Sequence, residues 1–182
     1  MGIIGFPVIA GAQVTKTDTT PFHEPGTIMM VRNGTSVTAQ QFGLVKYVRF
    51  DAATNKGDAM AWIDSADTER VEIASTTNGR TMSGFRGVAA ATVAASSYGW
   101  MYIHGYVPAI RVSTLVASGD YLTLSGSTGG RWIQQVTANF NATAGVVSTT
   151  GTYTLNAPMI ALGAGSNAAG SVVAGFLRQV WG

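Results

Sequence analysis

The sequence predicts an all-β chain, a small β-barrel or β-sandwich of short antiparallel strands with an extended N-terminal arm. Three observations lead there. About a dozen short β-rich runs recur at spacings of roughly 8–12 residues, punctuated by Gly, Asn, Asp, Ser and Pro. Nothing alternates strand with helix, which disfavours α/β folds. Charged residues make up 11% of the 182, against roughly 25% in an ordinary soluble domain, so the Glu/Lys/Leu heptads of a coiled coil or helical bundle are missing.

Residues 1–25 read as an arm and 26–182 as a single β-domain. Gly5-Phe6-Pro7, Gly11, Pro21 and Pro25 break regular structure in the arm. The arm still carries Ile3, Ile4, Phe6, Val8, Ile9 and Phe22. Apolar residues in a segment unable to fold alone suggest an arm laid on a partner; a terminal strand on its own domain, or disorder, is the alternative. Thr27–Val31 is β-rich and ends at the hairpin-type dipeptide Asn33-Gly34. In Gly43–Phe50, Leu44, Lys46, Val48 and Phe50 share one face, and Tyr47 and Arg49 the other. Ala59–Asp64 and Glu69–Ser75 flank a turn at Ser65-Ala66-Asp67-Thr68, and Asn78-Gly79 marks another turn. Val88–Val93 fits a strand or a short Ala-rich helix. Trp100–Val107 is a strand closed by Pro108. Strands are further expected at Arg111–Val116, Tyr121–Leu124, Arg131–Thr137, Gly145–Ser148, Thr152–Leu155, Met159–Leu162 and Ser171–Val180.

The charge is unevenly placed. Of 20 charged residues, 16 lie between Lys16 and Arg86, and none lies between Trp132 and Leu177. A free monomer needs surface charge to stay soluble, so a chain this poor in it is expected to cover part of its surface with a partner; a neutral Ser/Thr/Asn surface is the alternative. The net charge of +2 is small and the bases are interspersed with acids, so no nucleic-acid stripe forms. The chain has no Cys, which removes disulfides, thiol nucleophiles and Cys-ligated metals. No secretion signal is recognisable, and Met159–Leu177 is too rich in Gly, Ser and Asn for a membrane span. The expectation is a chain that folds in the cytoplasm where it is made, with no membrane partner.

The catalytic inventory is short, and no enzymatic activity, cofactor or metal is expected. His23 sits in the breaker-rich arm and His104 in mid-strand, with no Gly-x-Ser-x-Gly elbow near either. Asp64, Asp67, Glu69 and Glu72 could offer oxygens to Ca²⁺, but Arg70 interrupts them and a solvated hairpin tip is the plainer reading. Gly163-Ala-Gly165-Ser-Asn-Ala168 mimics a nucleotide fingerprint, yet no acidic residue follows Asp120 to serve a ribose. The strand at 100–107 is more informative. Period two puts Trp100, Tyr102, His104 and Tyr106 on one face, against Met101, Ile103 and Val107 on the other. An aromatic face with hydrogen-bonding tips suits internal packing, a protein neighbour, or sugar stacking.

The stretch Gly87-Val-Ala-Ala-Ala-Thr-Val-Ala-Ala-Ser-Ser-Tyr-Gly-Trp-Met-Tyr-Ile-His-Gly-Tyr-Val resembles the middle of head decoration (capsid cement) proteins of tailed bacteriophages. Ala117-Ser-Gly-Asp-Tyr-Leu-Thr-Leu, Ala144-Gly-Val-Val, Met159-Ile-Ala-Leu-Gly and Gly170-Ser-Val-Val-Ala-Gly-Phe-Leu are similar in order and spacing, so the resemblance covers about residues 84–178. It implies a structural virion protein on the capsid surface, a homotrimer that contacts the major capsid protein and neighbouring copies of itself. Ile3, Ile4, Phe6, Val8 and Ile9 are the expected partner-binding residues of the arm, with Trp100, Tyr102 and Tyr106 as further interface residues. The competing expectation is a glycan- or receptor-binding β-module, such as a phage fibre head, stacking ligands on Trp100, Tyr102, His104 and Tyr106.

Overall fold

The computed structural model describes residues 7–11, 13–33, 41–64, 67–74, 85–125, 128–134, 159–166 and 171–178. Strands expected at 145–148 and 152–155, and the turn at Asn78-Gly79, lie outside these residues. The all-β class holds: the described residues form eleven strands and no helix. They are β1 (Val8–Ala10), β2 (Ile28–Asn33), β3 (Gln41–Phe50), β4 (Ala59–Asp64), β5 (Asp67–Ile73), β6 (Phe85–Ala89), β7 (Ser97–Arg111), β8 (Tyr121–Leu124), β9 (Trp132–Gln134), β10 (Met159–Ala161) and β11 (Val172–Leu177).

All eleven strands join one mixed sheet, so the expectation of purely antiparallel strands is corrected: β1–β2 and β3–β5 run parallel. The sheet closes on itself through β3, which pairs with β7 as well as with β2 and β5. The pairs β3–β5, β5–β4, β4–β6, β6–β7 and β7–β3 therefore make a closed ring. Val48, Phe50, Met60, Val71, Ala89 and Met101, drawn from all five strands, form one buried cluster, as the inward residues of a closed ring must.

A second ring shares β7. From β7 the order runs β11, β10, β8, β9, and Trp132 of β9 returns by a parallel bridge to Val112, just past the end of β7. Ile110, Leu122, Trp132, Met159, Val173 and Leu177 lie buried in it. The interior is tight: a Cβ on Gly175 would sit 2.7 Å from Met159 Sδ and 2.9 Å from Ile110 Cδ1, so a larger residue there would have to displace both side chains.

β7 differs from its expected form in two ways. It runs through Pro108 to Arg111 and is 15 residues long, because one of its edges passes from β6 to β11 along its length. It also carries a bulge. Val45 pairs with Tyr102 and Leu44 with His104, leaving Ile103 as an extra residue, and Gly105 follows at φ 82°. The bulge breaks period two. Tyr102 stays with Trp100, while His104 turns to the opposite face with Leu44. The expected single face of Trp100, Tyr102, His104 and Tyr106 is thus corrected to two faces.

An ion pair ties the two rings together. Arg111, at the end of β7, donates from Nη1 to Asp58 Oδ1 at 2.9 Å just before β4. Asp58 is 1% exposed, and its other oxygen accepts the Asn55 N–H at 2.8 Å. Phe85 of β6 meets Trp132 of β9 edge-on at 5.0 Å, so apolar contact crosses the same junction.

Candidate interaction surfaces

The described part of the arm lies on the chain's own sheet. β1 adds to the edge of β2, Ile9 and Val14 are buried, and Asp18 bridges to Tyr98. Tyr47 anchors it: its hydroxyl accepts the Phe22 N–H at 3.2 Å and donates to Asp18 Oδ2 at 3.3 Å. Burial pushes the Tyr47 hydroxyl above the ordinary phenol value, and the Asp18 carboxylate adds to the rise. His23 sits 5.4 Å from the Tyr47 ring and 5.1 Å from Trp100. A cleft of about 380 Å³ remains between arm and sheet, with Val8, Ile9, Lys16, Phe22 and Trp100 among its walls.

The expected partner-binding residues therefore divide. Ile3, Ile4 and Phe6 lie outside the described residues. Val8 is 65% exposed and beside the cleft, whereas Ile9 points into the core. Trp100 and Tyr102 are buried by this chain's own residues, including the arm, and present no open aromatic platform. Tyr106 is half-buried on the outside of the second ring.

Tyr106 has neighbours that sequence reasoning missed. It pairs with Phe176 of β11, Phe176 pairs with Ile160 of β10, and Ile160 pairs with Tyr121 of β8. Directly paired residues share a face, so these four side chains form one row across four strands. Phe176 is 40% and Tyr121 50% exposed. His104 meets Phe176 at 6.1 Å between ring centroids, at one end of the row. No single one of these residues is unusual in the sequence; only strand register brings them together.

The charged side chains cluster elsewhere. Asp51 accepts from Arg70 and lies 3.6 Å from Arg49, on the first ring. Asp67 lies 3.8 Å from Arg70 and accepts the Glu69 N–H, so the acidic hairpin is interleaved with its own bases. Lys46 donates to Thr68 O at 2.8 Å and stands 4.7 Å over the Trp62 ring. Burial holds the Lys46 ammonium below its ordinary value, and Glu69 and Asp67 oppose the shift. Asp120 accepts the Ala117 N–H at 2.7 Å across its own turn. Among the described residues no group of three His, Asp or Glu side chains is placed to hold a metal ion.

No protein-family model matches the chain, and no curated protein matches its sequence.

Proposed function

We propose that the chain is a structural virion protein, a phage capsid decoration or cement protein. It binds the outside of an assembled shell and clamps neighbouring major capsid protein subunits, working as a homotrimer and without catalysis. One observation carries this reading: partly exposed charged pairs gather at one part of the first ring, around Arg49, Asp51, Arg70 and Asp67, while the outward side chains of the second ring form a continuous apolar row. A surface divided in this way suits a protein with one side in solvent and another against protein. The sequence resemblance over residues 84–178 spans β6 to β11 and supports the same reading. Clamping follows from multiplicity, because several modest contacts held by one rigid body add through effective concentration.

The test mixes purified protein with empty shells and images them. Density at regular lattice positions is the expected result, and bare shells overturn the proposal. Removing residues 1–6, which leaves Ile9 and Val14 in place, is expected to weaken shell binding at least tenfold. Unchanged binding would remove the arm's assigned role.

A further inference from the structure

We infer that the cleft between arm and sheet binds a small zwitterion, one that carries a quaternary (fully methylated) ammonium group and an anion. Nothing in this depends on the cement reading. The cleft, about 380 Å³, is of a size that takes a small ligand. Its two walls come from different parts of the chain. The sheet wall is apolar, with Ile9, Met29, Tyr47 and Trp100 supplied by β1, β2, β3 and β7. The arm wall is polar, with Gln13, Lys16 and Asp18 close together in sequence. Aromatic rings meet between the walls. Phe22 stands 5.0 Å from His23 at 89°, His23 5.4 Å from Tyr47 at 76°, and Tyr47 5.1 Å from Trp100 at 62°. Rings set so steeply to one another make the corner of a box rather than a stack. Such corners suit alkylated ammonium ions, because ring faces attract a cation that has no N–H to satisfy. Tyr47 and Trp100 are buried and form the floor, while Phe22 is 78% exposed at the mouth.

The charges select the ligand. Asp18 accepts from the Tyr47 hydroxyl with Oδ2. Among the described residues its Oδ1 has no side-chain donor, and Lys16 has no carboxylate partner, although both residues line the same cleft. A ligand with a single charge would be attracted by one of them and repelled by the other, whereas a zwitterion matches both. A primary ammonium brings three N–H donors that all need acceptors. The ring corner is poor in these, with Asp18 the one carboxylate of the cleft. A quaternary ammonium brings no donor and leaves none unpaired against the rings. Its anionic end then meets the Lys16 ammonium, with the Gln13 amide able to donate beside it. Glycine betaine and phosphocholine both have this chemistry, the first as a free solute and the second also as a lipid headgroup.

The test is calorimetric titration of the full chain. Glycine betaine and phosphocholine are expected to bind with dissociation constants of about 1 mM or tighter. Glycine and phosphoethanolamine, which have the same charges but carry N–H donors, should bind about tenfold more weakly or worse. Asp18→Asn keeps an acceptor for Tyr47 and should weaken betaine binding about tenfold. Lys16→Gln should weaken betaine about fivefold and leave choline, which lacks the anion, no weaker. Phe22→Ala, at an exposed ring, should weaken betaine and choline alike. Leu115→Ser, at a 71% exposed residue outside the cleft, should change neither. Absence of binding by both zwitterions overturns the inference, as does glycine that binds as well as betaine. Lys16→Gln and Phe22→Ala proteins that bind like wild type overturn it too, because the ligand then sits elsewhere. Sedimentation with phosphatidylcholine vesicles but not with phosphatidylethanolamine vesicles supports it with a lipid headgroup as the source. Phosphocholine binding without sedimentation supports it with a free solute.

Discussion

The two rings share a strand but solve different problems. In the first, inward residues are apolar, and the outer face is divided: Tyr47, Phe85 and Trp100 are buried under the arm and the second ring, while Arg49, Arg70 and Asp67 gather around Asp51 in ion pairs. In the second, β11 turns Val173, Gly175 and Leu177 inward and Val172, Ala174 and Phe176 outward. Both of its faces are apolar. A sheet dry on both sides occurs where both sides are covered. The difference lies in what meets solvent: ion pairs on the first ring, a paired apolar row on the second.

The comparison breaks most directly at the junction. Trp132→Ala removes a fully buried side chain that touches Phe85 of the first ring, and should cost about 3–5 kcal/mol in chemical denaturation. The buried cluster runs from one ring into the other, so one transition at lower denaturant is expected. Two separated transitions would show that the rings are independent units. Asp58→Ala should cost about 3 kcal/mol, because it strands Arg111 at a site that is largely closed to water. Replacing both partners, Asp58→Leu with Arg111→Met, should recover most of that loss; no recovery would mean that the pair holds the rings in register rather than compensating its own burial.

The smallest effect lies under the arm. Tyr47→Phe removes one donor and one acceptor and should cost about 1 kcal/mol. Its pH dependence is more diagnostic. The folded state holds the Tyr47 proton more tightly than the unfolded chain does, so above about pH 10 the unfolded state loses its proton first. Wild-type stability should fall as pH rises through that range, and the Phe variant should lack this part of the decline. Denaturation midpoints measured on both proteins from neutral to alkaline pH test the sign.

Much of the first ring was legible in the sequence. Gly43–Phe50 alternates visibly, and the structure splits Val48 and Phe50 from Tyr47 as the period requires. The β4–β5 hairpin followed from its turn residues. The second ring was harder to read for a physical reason: when outward residues are as apolar as inward ones, period two leaves no polarity signal. Arg111–Val116 illustrates the opposite error. It looks like a strand, but beyond Arg111 it forms only isolated bridges at Val112 and Val116. The bulge at Ile103 had a sequence signal, the isolated Gly105 within a strand pattern, and giving that glycine its weight would have separated His104 from Tyr102. Tyr121, Ile160 and Phe176 had no such signal, because non-local register is not encoded in any one segment.

β7 has a mechanical consequence. Its 15 residues span about 50 Å less the shortening at its bulges, and it is a structural member of both rings. A pull that draws the rings apart along this strand acts on unbroken covalent backbone, with no hinge or linker in the path. The hydrogen bonds to β3 and β11 are then loaded in parallel and must fail together rather than unzip singly. A protein built around such a tie-rod can carry tension between two attachment points while each ring stays folded.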